Sequence, residues 1–392
     1  MTENLRPTLD QIIRNNEIIG DVPVKKVLIL YEEDTPYLGD ACRHFGHLRL
    51  LRSHFNNAFI QLNFQPAKNC KFGLAVLKND PCMDRLSILE WKDIDLSQYD
   101  IIYSISYAED AFLQFLHDKY GDKIRNENYK PAVFSLSKHT LDPKSQPRSI
   151  FPEHSGLGKD VGMPSPDELY ISDEERDWAD NWLVSKGVKK SDELFICCDS
   201  ASARFKLLNI DVYFGFLKFL LEQSRGKILL FDERGIGKVE FYRSWLGERV
   251  KDRLIVSEKL SLREDICLLG SRSTRLIFGP CTGLMHCASG VYSHYVNRGM
   301  SVSEVPLIVT YTGIYNIHDQ NASYWWGNSP LVQCLLLKDI DGKKRMRLLS
   351  ELSAQERKLN DSLPCSEYTT QMLVNFVSSF FSRIRNEKCG YY

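Results

Sequence analysis

Residues 275–290, RLIFGPCTGLMHCASG, join an apolar run to a glycine-containing turn and a stretch of small residues. The pattern predicts a strand, a tight turn around Pro280 and the start of a helix. Such a turn leaves the backbone N–H groups of Thr282, Gly283 and Leu284 free to point outward at the positive end of the helix dipole. The segment therefore predicts either a phosphate site or an ordinary turn between a strand and a helix.

The same alternation of short apolar runs and longer amphipathic segments extends along the chain. Apolar runs lie at 26–31, 58–64, 100–105, 131–136, 194–198, 227–231, 253–256, 275–279 and 305–310. Runs that are apolar on both faces, each followed by a helix with one apolar stripe, are typical of parallel sheets covered by helices. We therefore predict an α/β fold made of two Rossmann-like, doubly wound domains.

The domain boundaries are predicted from the places where this alternation is interrupted. Proline and glycine accumulate between residues 140 and 170, where we predict an irregular loop, and Ser172 then caps a new helix. We place an N-terminal domain at 1–188 and a C-terminal domain at 189–365. Residues 366–392 form a last helix and tail, whose apolar positions at helical spacing must pack on another element. We expect this helix to return to the N-terminal domain.

Composition excludes several classes of protein. The 392 residues include 50 Lys and Arg against 51 Asp and Glu, which gives no basic field suited to coating nucleic acid. No apolar run approaches the roughly 18 residues that a membrane helix needs, and the N-terminus is polar. The eleven cysteines are odd in number and scattered. We expect a cytoplasmic protein with reduced thiols and at most peripheral membrane contact.

A second candidate segment follows the first predicted strand. Acidic residues that include Asp34 lead to Gly39, Asp40 and a helix. Open α/β sheets bind ligands at the carboxyl ends of their strands, so Asp40 can serve as a general base there. Its position also suits the N-cap of the helix. The helix itself is basic, through Arg43 and its neighbours, and presents either a solvated face or a surface for an anionic acceptor.

A third segment follows the first strand of the C-terminal domain. It offers hydroxyl groups from Ser200 and Ser202 and cations from Arg204 and Lys206. These groups suit phosphate or sugar contacts, although a solvated polar loop has the same composition.

Other motifs are weaker. Gly235 and Gly237 begin a dinucleotide fingerprint, but Glu240 stands where its third glycine belongs, so we interpret the segment as a turn. Two Asp-x-Asp triplets, at 93–95 and 339–341, are read as caps and loops. No His or Cys spacing predicts a zinc site.

Taken in order, the three segments resemble the bacterial heptosyltransferase family, glycosyltransferase family nine, which has the GT-B fold. The residues that carry the resemblance are 38–40 (LGD), 204–206 (RFK) and 279–288 (GPCTGLMHCA). Two positions depart from the family pattern. Cys281 stands where an aspartate usually contacts the donor sugar, and Leu207 replaces a tryptophan. The donor is therefore left open.

The resemblance implies two domains facing a cleft, with Asp40 as the base. The loop before Gly39 is longer than in the family and carries Asp34, an alternative base. The resemblance also implies that Lys206 supports the donor phosphates and that the turn from Thr282 to His286 holds the diphosphate. The implied activity is an inverting, metal-independent glycosyltransferase that moves a sugar from a nucleotide-diphosphate sugar to an acceptor hydroxyl, without a cofactor. The acceptor would be a glycan or glycolipid, as in lipopolysaccharide or other surface glycan synthesis. The alternative is a non-catalytic nucleotide or glycan binder of the same fold.

Overall fold

The structure is a computed structural model of the whole chain. It describes residues 3–19, 23–35, 37–46, 48–141, 148–154, 157, 168–222, 225–232, 235–313, 326, 329–359 and 361–389. Most of the predicted irregular loop at 140–170 lies outside these residues. The chain divides into two compact units, Met1–Tyr170 and Ile171–Tyr392.

The first unit is built on a parallel sheet. Its described strands are β1 (Lys26–Tyr31), β2 (Phe59–Phe64), β3 (Arg85–Ile88), β4 (Ile101–Ile105) and β5 (Ala132–Ser135). The sheet order is β3-β2-β1-β4-β5, and every pairing is parallel. The central strands β1 and β4 are almost wholly buried, which is why their sequences are apolar on both faces.

Helices cover both faces of this sheet. They are α1 (Arg6–Ile18), α2 (Leu38–Gly46), α3 (Leu48–His54), α4 (Lys71–Leu77), α5 (Asp110–Arg125) and α6 (Ser137–Thr140). Ile12 of α1 and Phe112 of α5 join Leu28 and Leu30 of β1 in one core. On the other face, Gly73 of α4 lies so close to the sheet that an added Cβ would meet the ring of Phe64 at 2.9 Å.

The second unit contains a larger sheet. Its described strands are β6 (Glu193–Cys197), β7 (Gly226–Phe231), β8 (Leu254–Ser257), β9 (Thr274–Pro280), β10 (Leu307–Tyr311), β11 (Val332–Ile340) and β12 (Lys343–Leu348). The order is β12-β11-β10-β9-β6-β7-β8, and β12 alone among these pairs antiparallel to its neighbour. The triplet at 339–341 lies at the β11–β12 turn, where Asp341 and Gly342 have φ of 53° and 73°, as a two-residue hairpin requires.

The helices of the second unit begin before the predicted domain boundary. They are α7 (Asp173–Ser185), α8 (Ile210–Glu222), α9 (Lys238–Leu246), α10 (Leu262–Leu269), α11 (Gly283–Asn297), α12 (Ala354–Lys358) and α13 (Thr370–Cys389). The boundary near 188 is therefore corrected, because α7 belongs to the second unit. Glu175 of α7 receives two hydrogen bonds from the buried guanidinium of Arg263 on α10, at 2.8 and 2.7 Å.

The last helix also packs within the second unit. Leu373 and Val377 of α13 are buried in the core that α8 lines, and Phe381 stacks on Phe195 of β6 with ring centroids 6.1 Å apart. The sequence places this helix against the first domain, whereas its described side chains pack on α8 and β6. Side chains from residue 383 onward lie outside the description.

Candidate functional site

The order of the second sheet reverses at β6. The chain continues from β6 to β7 and β8 on one side, then crosses to β9 and β10 on the other. Loops that leave the carboxyl ends of two such strands diverge, and open α/β sheets bind ligands in the crevice between them. The loop after β6 carries residues 199–206, and the turn after β9 carries residues 281–284. The two segments that the sequence predicted as donor-binding therefore lie at the same edge of the sheet, one on each side of this crevice.

Gly279 allows this edge to form. The backbone N–H of Cys198, directly after β6, donates to the carbonyl of Phe278 at 2.8 Å. A Cβ added to Gly279 would meet the Cβ of Cys198 at 2.7 Å and the Sδ of Met285 at 3.2 Å. Only glycine therefore fits between the end of β6 and the first turn of α11.

The N-terminus of α11 differs from those of α7 and α10. Ser172 and Ser261 cap α7 and α10 through reciprocal hydrogen bonds with a glutamate in the first turn. Thr282 is the N-cap of α11 in extended conformation, and its side chain makes no capping hydrogen bond. The dipole of this 15-residue helix and its first N–H groups thus face the crevice without a capping side chain.

The glycine pair at 235–237 is a turn, as predicted. Asp232, at the carboxyl end of β7, accepts hydrogen bonds from the N–H groups of Ile236 and Gly237 at 3.0 Å and of Lys238 at 3.2 Å. Burial alone would raise the pKa of Asp232, but these backbone donors hold the pKa below its ordinary value. The N-terminus of α9 is thus occupied by the protein's own carboxylate.

The loop after β6 presents the predicted polar groups. Ser202 and Arg204 are exposed, and the Nζ of Lys206 donates to the Oγ of Ser202 at 3.2 Å. Asp199, the second residue of this loop, is not among the predicted donor-binding residues. The Nζ of Lys238 lies 2.7 Å from one carboxylate oxygen of Asp199 and 3.3 Å from the Oγ of Ser200.

An aromatic stack lies behind the turn after β9. The ring of His286 stacks on the indole of Trp326 with centroids 4.3 Å apart, and both residues are buried. The Nε1 of Trp326 donates to the Sγ of Cys281 at 3.3 Å. Cys281, the position of the family aspartate, therefore faces an indole N–H and is buried too. His286, predicted to bind the donor, is covered by Trp326.

The first sheet has an equivalent reversal, between β1 and β4. Glu33, after β1, accepts hydrogen bonds from the N–H of Tyr107 at 2.8 Å and the Oγ of Ser106 at 3.2 Å, both after β4. The Nζ of Lys68 lies 3.8 Å from its other oxygen. Glu33 thus joins the two loops at this edge. No pattern in the sequence separates Glu33 from its acidic neighbours Glu32 and Asp34.

Asp40 is half-buried in the first turn of α2, which begins at Leu38. The alternative interpretation of Asp40 as the N-cap is therefore wrong. The burial of Tyr31, at the end of β1, and the charges of neighbours that include Glu33, Asp40 and Asp34 raise the pKa of Tyr31 well above its ordinary value. The carboxylate of Asp40 thus lies near the carboxyl edge of the first sheet.

Asp34 has a structural partner. Its Oδ1 accepts the N–H of Asn69 at 2.7 Å, while the N–H and Oγ of Thr35 both donate to the carbonyl of Asn69 at 2.8 Å. Asp34 is exposed and holds the loop after β2 against the loop after β1.

The predicted basic helix is two helices, and its described arginines are paired within the first unit. Arg49 lies 3.0 Å from Asp80 and 3.2 Å from Glu168, and Arg52 lies 2.5 Å from Asp84. Both arginines therefore hold the unit together and do not form a bare cationic face. The side chain of Arg43 lies outside the described part of the chain.

No protein-family model and no curated protein sequence matches the chain. Its structure is similar to that of ADP-heptose lipopolysaccharide heptosyltransferase II of E. coli, with a TM-score of 0.57 and 14% identity over 93% of this chain and 99% of that one. For a glycosyl transferase family 9 protein from Veillonella parvula, the TM-score is 0.53 and the identity 15%, over 79% of this chain and 85% of that one. For the E. coli heptosyltransferase WaaC with ADP, the TM-score is 0.50 and the identity 11%, over 92% of this chain and 99% of that one. The chain has the heptosyltransferase fold.

The heptosyltransferase fold places every described candidate residue of the second unit at or beside the β6–β9 edge. Asp199, Lys238 and Trp326 are the neighbours of this edge that the sequence did not predict, and Glu33 is the corresponding residue at the edge of the first sheet. Of these, Asp199 carried a signal, because it is the first polar residue after a buried strand.

The described ranges contain no group of three or more His, Cys, Asp or Glu side chains placed to hold a metal ion. They also contain no helix whose length and hydropathy would allow it to cross a membrane.

Proposed function

We propose that this chain is an inverting glycosyltransferase that moves a sugar from a nucleoside-diphosphate sugar to an acceptor hydroxyl. One observation carries the proposal. In a heptosyltransferase fold, the N-terminus of α11 and the loop that bears Lys206 leave adjacent strands at the point where the sheet order reverses. That place supplies backbone donors, a helix dipole and a cation to one anionic ligand.

The chemistry follows from these groups. As the bond between the anomeric carbon and the diphosphate breaks, negative charge grows on the leaving oxygen. The N–H groups of Thr282, Gly283 and Leu284 and the ammonium of Lys206 would stabilise that charge. Asp40 would take the proton of the acceptor hydroxyl as its oxygen attacks the anomeric carbon. A single displacement inverts the configuration, and we propose that it needs neither a metal ion nor a cofactor.

The donor and acceptor are proposed by class. WaaC is described with ADP, and heptosyltransferase II is named for ADP-heptose, so an adenosine-diphosphate sugar is the first donor to try. The acceptor is a glycan or glycolipid hydroxyl, as in lipopolysaccharide or another surface glycan, and the cytoplasm remains the predicted location.

A thermal-shift series with ADP, UDP, GDP and CDP tests the donor site. A ligand that binds only the folded protein raises the unfolding temperature as its concentration rises, and we expect this for at least ADP. Incubation with the matching nucleotide sugar should then release the nucleoside diphosphate at the same rate with and without EDTA. No shift with any nucleoside diphosphate, or a strict requirement for added Mg²⁺ or Mn²⁺, would contradict the proposal.

A second candidate function is a non-catalytic nucleotide or glycan binder. The observation that favours it is the identity of Cys281, which stands where the family usually has an aspartate. Its buried thiol accepts a hydrogen bond from the indole of Trp326. A binder would give a thermal shift with ADP but would not release ADP from ADP-sugars, even slowly. An enzyme would give both.

A further inference from the structure

Four side chains form a largely buried polar cluster near the start of the loop after β6. Lys238, at the start of α9, donates to one oxygen of Asp199 at 2.7 Å, to the Oγ of Ser200 at 3.3 Å and to the carbonyl of Phe231. The hydroxyl of Tyr242, one turn along α9, donates to the other oxygen of Asp199 at 2.5 Å. The side chains of Lys238 and Asp199 are 7% and 15% exposed.

The ion pair has an electrostatic consequence for the neighbouring crevice. Asp199 is the second residue after β6, which is adjacent to β9, so its carboxylate lies on the order of 10 Å from the turn at Thr282. An unpaired carboxylate there would repel a diphosphate, because charges at the edge of a protein interior are screened less than charges in water. Lys238 stands inside the fold, behind Asp199, with its ammonium committed to the end of β6 and the end of β7.

We propose that Lys238 is the internal counter-ion that allows the β6–β9 crevice to accept a diphosphate. It cancels the charge of Asp199 and holds the hydroxyl of Ser200 at the first turn of the donor loop. Tyr242 fixes the second oxygen of Asp199, so the carboxylate stays turned toward α9. Lys238 and Asp199 are positioning residues, and this inference rests on the proposed donor site.

A charge cycle tests the inference, with ADP and inorganic pyrophosphate as probes in titration calorimetry. Lys238→Met leaves Asp199 unpaired and should weaken ADP binding on the order of tenfold. Asp199→Asn leaves Lys238 unpaired and should tighten binding severalfold. The double variant removes both charges of the pair and should return the affinity to within about threefold of the wild type, a pattern that pairwise coupling predicts.

The control is Tyr292→Phe, which removes a buried tyrosine hydroxyl that donates a hydrogen bond to the carbonyl of Leu269, the last residue of α10. It should leave ADP affinity unchanged. Circular dichroism checks that each variant folds, and if Lys238→Met alone unfolds, Asp199→Asn and the double variant still complete the comparison.

The outcomes separate the two proposals. If ADP binds the wild type and all folded variants with equal affinity, the counter-ion role of Lys238 is overturned and the donor site stands. The same conclusion follows if the ADP affinity of the double variant stays as low as that of Lys238→Met. Binding of pyrophosphate without ADP contradicts the proposed function, while the same cycle measured with pyrophosphate still decides the role of Lys238. Binding of neither probe by the wild type overturns both.

Discussion

The indole Nε1 of Trp91 donates a hydrogen bond to the Oε1 of Glu32 across 2.7 Å. Glu32 directly follows β1 and is 8% exposed, and the amide of Gln65 lies 3.4 Å from its other oxygen. Burial raises the pKa of Glu32 to about 7, against the lowering effect of these two donors. The charge of Glu33 adds to the rise and that of Lys68 opposes it. The protonated acid is therefore the form that the fold favours at mildly acidic pH.

This pKa predicts how stability changes with pH. The folded state holds the proton of Glu32 up to about pH 7, whereas the unfolded chain releases it near pH 4.5. The stabilisation is thus fully present below pH 4.5 and is lost as the pH rises through 7. Glu32→Gln should abolish this loss. As the pH rises from 5 to 8, the free energy of unfolding of the wild type should therefore fall by about 1–3 kcal/mol relative to that of Glu32→Gln.

Urea unfolding at a series of pH values measures the effect. Glu17→Gln, on the exposed face of α1, is the matched control and should follow the wild-type curve. Parallel curves for the wild type and Glu32→Gln would contradict the raised pKa.

Gly279→Ala should separate β6 from the first turn of α11. The new Cβ would lie 2.7 Å from the Cβ of Cys198 and 3.1 Å from its carbonyl oxygen, so a central strand must shift. We expect a loss of about 2–4 kcal/mol in the free energy of unfolding, the range of a severe core change. Gly121→Ala in α5 is the control, because its nearest contact would be 3.4 Å and alanine favours a helix by up to about 1 kcal/mol. Equal stability of the two variants would contradict the close approach.

The sequence predicted the strands whose burial makes them apolar on both faces, such as β1 and β4, and the turn that carries Thr282. Among the described strands it missed β3, β11 and β12, of which β3 and β12 lie at sheet edges. The sequence of β12, KKRMRL, is charged because lysine and arginine protect an exposed edge, and this hides the strand from a hydrophobicity pattern. The Asp341-Gly342 pair was its local signal.

Within the site, the sequence predicted which charged residues follow a strand, but not which of their charges are neutralised by a partner in the fold. Asp232 and Asp199 both follow strands of the second sheet. One is bonded to backbone N–H groups and the other to Lys238, which lies 39 residues along the chain from Asp199. Pairings over that separation depend on strand order, which local patterns do not specify. The same limit applies to Glu33 and Ser106.

Lys206→Ala should weaken ADP binding by about 1–3 kcal/mol, the range for losing a charged hydrogen bond. The side chain is half-buried beside Ser202, at the edge where the diphosphate is proposed to lie. Lys218→Ala removes an exposed lysine from α8 and should leave binding unchanged, which separates a local contact from a general loss of positive charge. Titration calorimetry measures both variants. Unchanged affinity in Lys206→Ala would remove this lysine from the donor site.

Asp40→Asn tests the catalytic base. Asp40 lies in the first turn of α2, where its charge interacts favourably with the helix dipole, so the amide should cost about 0.3–1 kcal/mol of stability. An amide cannot accept the proton of the acceptor hydroxyl, so turnover should fall on the order of a hundredfold or more. Affinity for ADP should change little, because the proposed donor groups all belong to the second unit.

Asp34→Asn is the matched comparison for Asp40→Asn. Its Oδ1 accepts the N–H of Asn69, a hydrogen bond that an asparagine side-chain oxygen also accepts, so the loop after β1 should keep its conformation and most of its activity. Release of nucleoside diphosphate in the presence of acceptor measures turnover of both variants. If Asp40→Asn retains turnover and Asp34→Asn loses it, the base is Asp34, and Asp40 acts only on the first turn of α2. If both retain turnover, the proton leaves by another group, and Glu33, which joins the loops after β1 and β4, becomes the carboxylate to substitute next.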